Sequence, residues 1–135
     1  MIEVTQEPGL WVLTLNRPDK ANSVTKAMLT TLAETVEAAT AAGVAVLVLT
    51  GVDYELRGEA LDALEQRLAA AGSPYPYRLA LRPNTGVPTG RDLDRNGQLG
   101  EPRDAQGWGR FAGEGGIAVL SRLPIGPDVR DFSGF

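Results

Sequence analysis

Glycine and proline are concentrated in the second half of this 135-residue chain, which limits the regular structure that this half can form. Residues 83–135 carry 11 of the 16 glycines and 5 of the 9 prolines. Because ordering glycine costs more backbone entropy than ordering any other residue, such a stretch favours loops over helices and strands. We therefore expect a long ordered or half-ordered loop over residues 83–115, with most regular elements in residues 1–82.

The chain contains no cysteine and no histidine, which excludes several kinds of site. Without cysteine there are no disulfides, thiol nucleophiles or cysteine-ligated zinc ions. Without histidine there is no Ser-His-Asp triad, no histidine-ligated zinc and no usual general base near neutral pH. The formal charge of −4, from 17 acidic and 13 basic residues, argues against non-specific nucleic-acid binding. No apolar run approaches ~20 residues and no signal peptide is visible, so we expect no membrane span and a cytoplasmic location.

Short β-branched, aromatic and aliphatic runs predict five strands. Two of them, Ile2–Thr5 and Leu10–Leu15, are separated by Pro8-Gly9 and predict a β-hairpin. The continuous aliphatic run Val44–Leu49 predicts a strand that is buried on both faces. Two further strands are predicted in the second half of the chain, at Tyr77–Leu81 and Ile117–Leu120.

Two apolar stripes with helical spacing predict two helices. The first helix covers residues 24–42, with Ser23 or Thr25 as its N-cap and Gly43 at the C′ position. The second helix ends near Gly72. Its stripe consists of Leu56, Ala60, Leu61, Leu64 and Leu68.

The order of these elements predicts an α/β fold with a layered mixed β-sheet, two covering helices and a long Gly/Pro-rich loop. A loop as long as residues 83–115 is uncommon within a complete domain. We therefore interpret the chain as a partial domain.

The segment WVLTLNRPDKANSV at residues 11–24 resembles the opening of the crotonase superfamily, which includes enoyl-CoA hydratases and isomerases. The resemblance extends to Gly51 and implies that the loop after the second strand contacts coenzyme A. That loop contains Lys20, Ala21, Asn22 and Ser23. A lysine beside exposed backbone N–H groups can hold the phosphate oxygens of a coenzyme A thioester. The family's oxyanion-hole segment has no counterpart after Gly51, so this resemblance implies at most an acyl-CoA-binding fragment, and a hairpin and helix without cofactor is the alternative.

Four segments of the second half, together with VDYE at 52–55, resemble the endonuclease/exonuclease/phosphatase family. They are YRLALRPNTGVPTG at 77–90, RDLDRNG at 91–97, DAQGWGRFAG at 104–113 and GIAVLSR at 116–122. The resemblance covers about residues 44–135, and the strand near residues 44–50 suits both families. The chain thus looks like a hybrid of two partial domains, 1–51 and 52–135, which we expect to pack as one unit.

The second resemblance implies a metal-dependent phosphoesterase in which an asparagine and a glutamate hold Mg²⁺ through hard oxygen ligands. Asn16 can stand for the asparagine, whereas the glutamate position is Gly51, for which Asp53 and Glu55 are candidate substitutes. The family's downstream residues, among them a histidine, are missing. We assign no catalytic residue and expect an impaired or inactive phosphoesterase fragment.

Residues 92–97 resemble the first half of a calcium-binding loop, with side-chain oxygens at positions 1, 3 and 5 and a glycine at position 6. Position 12 is Arg103 where such a loop has glutamate, and Glu101 and Asp104 flank it out of register. The candidate ligands for weakly bound Mg²⁺ or Ca²⁺ are Asp92, Asp94 and Asn96. A solvated turn without metal is the alternative interpretation.

Three hypotheses of function follow from the sequence. The first is a phosphoesterase-like fragment with impaired catalysis and weak divalent-cation binding. The second is a crotonase-like fragment that binds acyl-CoA. The third is a non-enzymatic recombinant product that self-associates through an exposed sheet edge.

Overall fold

A computed structural model describes residues 1–8, 10–17, 19, 25–54 and 58–132. The elements in chain order are β1 (Ile2–Glu7), β2 (Leu10–Leu15), α1 (Lys26–Ala41), β3 (Val46–Val52), α2 (Glu59–Ala70), β4 (Tyr77–Ala80) and β5 (Gly116–Ser121). A 3-10 turn covers Pro102–Asp104. The chain divides into two compact units, Met1–Ala45 with Gln66–Pro74, and Val46–Glu65 with Tyr75–Phe135. The predicted order of strands and helices is confirmed.

The first unit begins with the predicted β-hairpin. Strands β1 and β2 pair in antiparallel register along their whole length. Trp11, Leu13 and Leu15 alternate with exposed residues on β2 and are half-buried. This alternation is what a strand with one covered face requires, because successive side chains point to opposite faces.

Helix α1 begins and ends where its capping residues predict. The Thr25 hydroxyl accepts a hydrogen bond from the Met28 N–H at 3.3 Å and thereby caps the first turn. Gly43 follows the C-cap with φ +90°, and its N–H donates to the Thr40 carbonyl at 3.0 Å. Ser23, the other N-cap candidate, lies outside the described residues.

Helix α2 buries the predicted stripe at Leu61 and Leu68, which are 8% and 4% exposed. Leu56 of the same stripe lies outside the described residues.

In the second unit, the Arg78 guanidinium of β4 lies 2.5 Å from the Asp62 carboxylate and 3.6 Å from that of Glu65. In the described part of the chain, neither helix is long and apolar enough to cross a membrane.

The sheet of the second unit has the strand order β3-β5-β4. The central strand β5 is well covered on one face, since Ala118 and Leu120 are 1% and 0% exposed. The strand predicted at Val44–Leu49 begins at Val46, and the prediction that it is buried on both faces is wrong. Val46 and Val48 are 45% and 62% exposed, because β3 is an edge strand and only one face of its sheet is covered.

The α/β class with two helices is confirmed, but the strands form two antiparallel sheets and not one mixed sheet. A parallel pair needs a crossover connection, usually a helix. Strand β5 instead follows the long loop 81–115, which leaves its direction free, and it runs antiparallel to both neighbours.

The predicted Gly/Pro-rich loop is confirmed, and backbone hydrogen bonds order it. Thr85 and Gly107 form an isolated parallel bridge. The Gly86 N–H donates to the Gly107 carbonyl at 2.8 Å, and the Gly113 N–H donates to the Thr85 carbonyl at 2.9 Å. These bonds satisfy buried backbone groups without a helix or an extended sheet.

Gly86 lies at the closest backbone approach in this loop. A Cβ atom there would lie 1.9 Å from the Phe111 carbonyl oxygen, and φ is +74°. Gly90 has a similar φ of +70°, but nothing lies within 4 Å of its ideal Cβ position. Substitution of alanine at the two positions therefore distinguishes the free-energy cost of a left-handed backbone from that of a steric overlap.

We expect Gly86→Ala to lower the free energy of unfolding by at least about 3 kcal/mol, because it adds a steric overlap to a strained φ. The matched control Gly90→Ala adds only the strain and should cost about 1 kcal/mol. Urea denaturation of the two variants and the wild type measures both values. Equal losses in the two variants would contradict the close approach of Gly86 and Phe111.

Candidate metal centre

Three carboxylates converge within the loop of the second unit. One oxygen from each of Asp92, Asp94 and Asp104 lies within 4.8 Å of the other two. Oxygen ligands of Ca²⁺ lie roughly 2.3–2.6 Å from the ion, so two ligands on opposite sides are about 5 Å apart. The spacing of the three oxygens therefore fits a single Ca²⁺ between them.

Asp104 is the fixed member of this cluster. Its side chain is buried, and the residue is only 2% exposed. Its Oδ1 accepts from the Leu93 N–H at 2.8 Å, and its Oδ2 accepts from the Glu101 N–H at 3.3 Å. The Thr89 hydroxyl donates to its backbone carbonyl. These contacts join the 3-10 turn to the segment that carries the other two carboxylates.

Asp92 is held by the turn that follows it. Its carboxylate accepts from the Gly97 N–H at 2.8 Å and from the Asn96 N–H at 3.1 Å. The hydrogen bond from Gly97, followed by smaller contributions from neighbouring N–H groups, lowers the pKa of Asp92, against a weaker opposing effect of desolvation. Arg95 and Gly97 have φ values of +59° and +85°, which bend the backbone so that these N–H groups face the carboxylate.

Asp94 is the most exposed residue of the cluster. It accepts from the Asn96 N–H at 3.3 Å and from the Asn96 side-chain amide at 3.2 Å. The Arg103 guanidinium lies 3.8 Å away. The Asn96 amide also donates to Glu101, while its oxygen accepts from the Gln98 N–H at 2.8 Å. Asn96, a predicted ligand, thus presents its NH₂ group to the carboxylates, and its amide would have to rotate to bind a cation.

The other predicted metal ligands lie elsewhere. Asn16 lies after β2 in the first unit, where its amide donates to the Glu3 carboxylate at 2.6 Å. Asp53 lies after β3 in the second unit and accepts from the Gly115 N–H at 2.9 Å. It is not part of the described carboxylate cluster. Glu55 lies outside the described residues.

Asp104 is the site residue that the sequence pattern missed as a ligand. A calcium loop that starts at Asp92 places its twelfth residue at Arg103, so Asp104 is one residue out of register. The 3-10 turn at Pro102–Asp104 turns the Asp104 side chain inward, while the Arg103 side chain is 73% exposed. Pro102, which begins this turn two residues before Asp104, was the sequence signal that could have predicted the change of register.

Comparison with known proteins adds no relative, since no family model, curated protein or solved structure matches the chain. The two family resemblances therefore remain predictions. The residues predicted to contact coenzyme A, Lys20, Ala21, Asn22 and Ser23, lie outside the described part of the chain.

The lowered pKa of Asp92 predicts an acid-dependent change in this loop. A carboxylate whose pKa is lower in the folded state than in the unfolded state stabilises the fold at pH values above its unfolded-state pKa. This contribution is lost as the pH falls through the folded-state pKa. We expect the Gly97 amide resonance to titrate with a midpoint below the ordinary aspartate range in a metal-free buffer, measured by NMR.

The variant Asp92→Asn should abolish this titration of the Gly97 amide. The control Asp128→Asn changes an exposed acid outside the loop and should leave it in place. A Gly97 midpoint at or above the ordinary aspartate value would contradict the hydrogen bonding of Asp92.

Proposed function

We propose that the loop of residues 92–104 binds a divalent cation, preferably Ca²⁺, through the carboxylates of Asp92, Asp94 and Asp104. The observation that carries this proposal is the convergence of three carboxylate oxygens within 4.8 Å. Three ionised groups at this distance repel one another, and the Arg103 guanidinium, which lies 3.8 Å from the Asp94 carboxylate, offsets only part of this charge. A divalent cation would neutralise most of this charge and join the two ends of the loop.

The donor set suits a cation that prefers oxygen ligands. An ionised carboxylate offers about four lone-pair positions, so Asp92 and Asp104 retain free positions beside their two backbone N–H donors. Ca²⁺ accepts six to eight oxygens in flexible geometry, whereas Mg²⁺ demands a near-ideal octahedron at roughly 2.0–2.1 Å. Carboxylates that are already fixed by the backbone favour the more tolerant ion.

We propose that the cation stabilises this loop and takes no part in catalysis. This agrees with the prediction of a phosphoesterase-like fragment whose catalytic set is incomplete. The chain has no histidine, and Gly51 stands at the position where the resembled family has its metal-binding glutamate. Asp53, its candidate substitute, is hydrogen-bonded to the Gly115 N–H. The acyl-CoA-binding alternative stays a prediction.

Calorimetric titration of the full chain with Ca²⁺ tests the site directly. We expect saturable binding to the wild type and at least tenfold weaker binding to Asp94→Asn, which replaces a charged carboxylate ligand with a neutral amide. The control Asp53→Asn changes a predicted ligand outside the cluster and should bind Ca²⁺ as the wild type does. If millimolar Ca²⁺ produced no heat of binding and no shift of the amide NMR signals of residues 92–104, the site would be disproved. A loss of Ca²⁺ binding in Asp53→Asn alone would also disprove it.

Hydrolysis of a chromogenic phosphodiester tests the catalytic part of the proposal separately. With Mg²⁺ or Ca²⁺ present, we expect the rate with the protein to equal the rate in buffer. The measurement is the absorbance of released phenolate over hours, with a competent phosphodiesterase as the positive control. Turnover that is abolished by Asp53→Asn would show that the substitute ligand works and that the fragment is an active enzyme.

A further inference from the structure

In the part of the chain that the structure describes, β3 is an edge strand with one unpaired side. Its strand neighbour is β5, and no described strand lies on its other side. The stretch Val46–Thr50 has the sequence VLVLT, which contains no charged residue and no proline. An uncharged edge strand of this kind presents unpaired backbone N–H and C=O groups that can pair with another chain.

The opposite edge of the same sheet is protected. Strand β4 has only four residues, one of which is Arg78, and the prolines Pro76 and Pro83 flank it. Short length, charge and proline are the features that keep natural edge strands from pairing. Each copy of the chain therefore has one edge of this sheet that is competent to pair.

A bulge limits the open stretch of β3. The register with β5 shifts between Thr50 and Val52, and Gly51 has φ +73°. Since a bulge bends its strand and interrupts the ladder, pairing across the outer edge would end near Thr50. Five residues, Val46–Thr50, remain for a regular ladder.

The side chains next to this edge are apolar and exposed. Val48 and Ile117 are 62% and 59% exposed on the same face of the sheet. That face continues into a groove of about 440 Å³, which Leu79 and Val119 line together with the charged residues Arg82 and Asp131. Because no charged residue of β3 or β5 lies on this face, two identical copies meet without like-charge repulsion.

We propose that β3 pairs in antiparallel register with β3 of a second copy, which joins the two three-stranded sheets into one of six strands. A two-fold axis near Val48 places Val46 of one copy opposite Thr50 of the other. An identical edge supplies matching donors and acceptors, and VLVLT carries no side chain that would select a different partner. Within this sheet only one edge per copy is competent to pair, so an assembly formed through it closes as a dimer.

Sedimentation velocity over a concentration series of the full chain tests the proposal. We expect a monomer–dimer equilibrium for the wild type and a dissociation constant at least tenfold higher for Val48→Lys, which places two lysines opposite each other at the axis. The matched control Val12→Lys changes an exposed valine of β2 in the other sheet and should dimerise as the wild type does. Circular dichroism melts establish that each variant folds.

A third variant separates edge pairing from stacking of the two apolar faces. Ile117→Lys lies on the same face but on the central strand, so edge pairing should tolerate it. An equal loss of dimer in Ile117→Lys and Val48→Lys would overturn the proposal in favour of face-to-face packing. A wild type that stays monomeric at several hundred micromolar, or a dimer that only Val12→Lys dissociates, would overturn it as well.

Hydrogen exchange provides a readout that requires no variant. We expect the amides of Val46–Thr50 that face the open edge to become protected as the protein concentration rises. Amides of β4, on the protected edge, should not change. Concentration-independent exchange at β3 in a sample that contains dimer would overturn the proposal.

Discussion

The buried carboxylate of Asp104 is the interaction on which the acidic loop depends. Burying a carboxylate is costly unless hydrogen bonds replace its water, and here the backbone N–H groups of Leu93 and Glu101 do so. The same contacts join the two ends of the loop. The buried carboxylate, whose burial costs free energy, therefore also fixes the conformation of the loop. Asp92 and Asp94 reach the cluster because this connection holds their segment beside the 3-10 turn.

Glycine makes such a compact loop possible. At Gly86 the backbone passes so close to Phe111 that a methyl group would overlap the carbonyl. Gly107 and Gly113 supply hydrogen bonds across the same crossing. Ordering glycine costs backbone entropy, and the loop offsets this cost by pairing backbone groups at distances that other residues do not permit. A glycine-rich composition, which is typical of irregular structure, therefore forms an ordered loop here.

The proposed cation site and the proposed dimer edge have different physical origins within the second unit. The cation site arises from polar groups that the fold has brought together more closely than their charges favour. The dimer edge arises because the central strand β5 has partners on both sides while β3 has a partner on one side. Binding of a cation would relieve the charge repulsion in the first case, and binding of a second copy would pair the backbone groups in the second.

The sequence alone determined the elements, because their signals act over a few residues. The hairpin, the capping of α1 by Thr25 and Gly43, and the two apolar stripes could all be predicted from neighbouring positions. Two of the three carboxylates of the cluster could also be predicted, since Asp92 and Asp94 are two residues apart. Only the tertiary structure decided that Asp104 completes the cluster, that the strands form two antiparallel sheets, and that β3 is an exposed edge. These features depend on contacts between distant residues, and local periodicity carries no information about which distant segments meet.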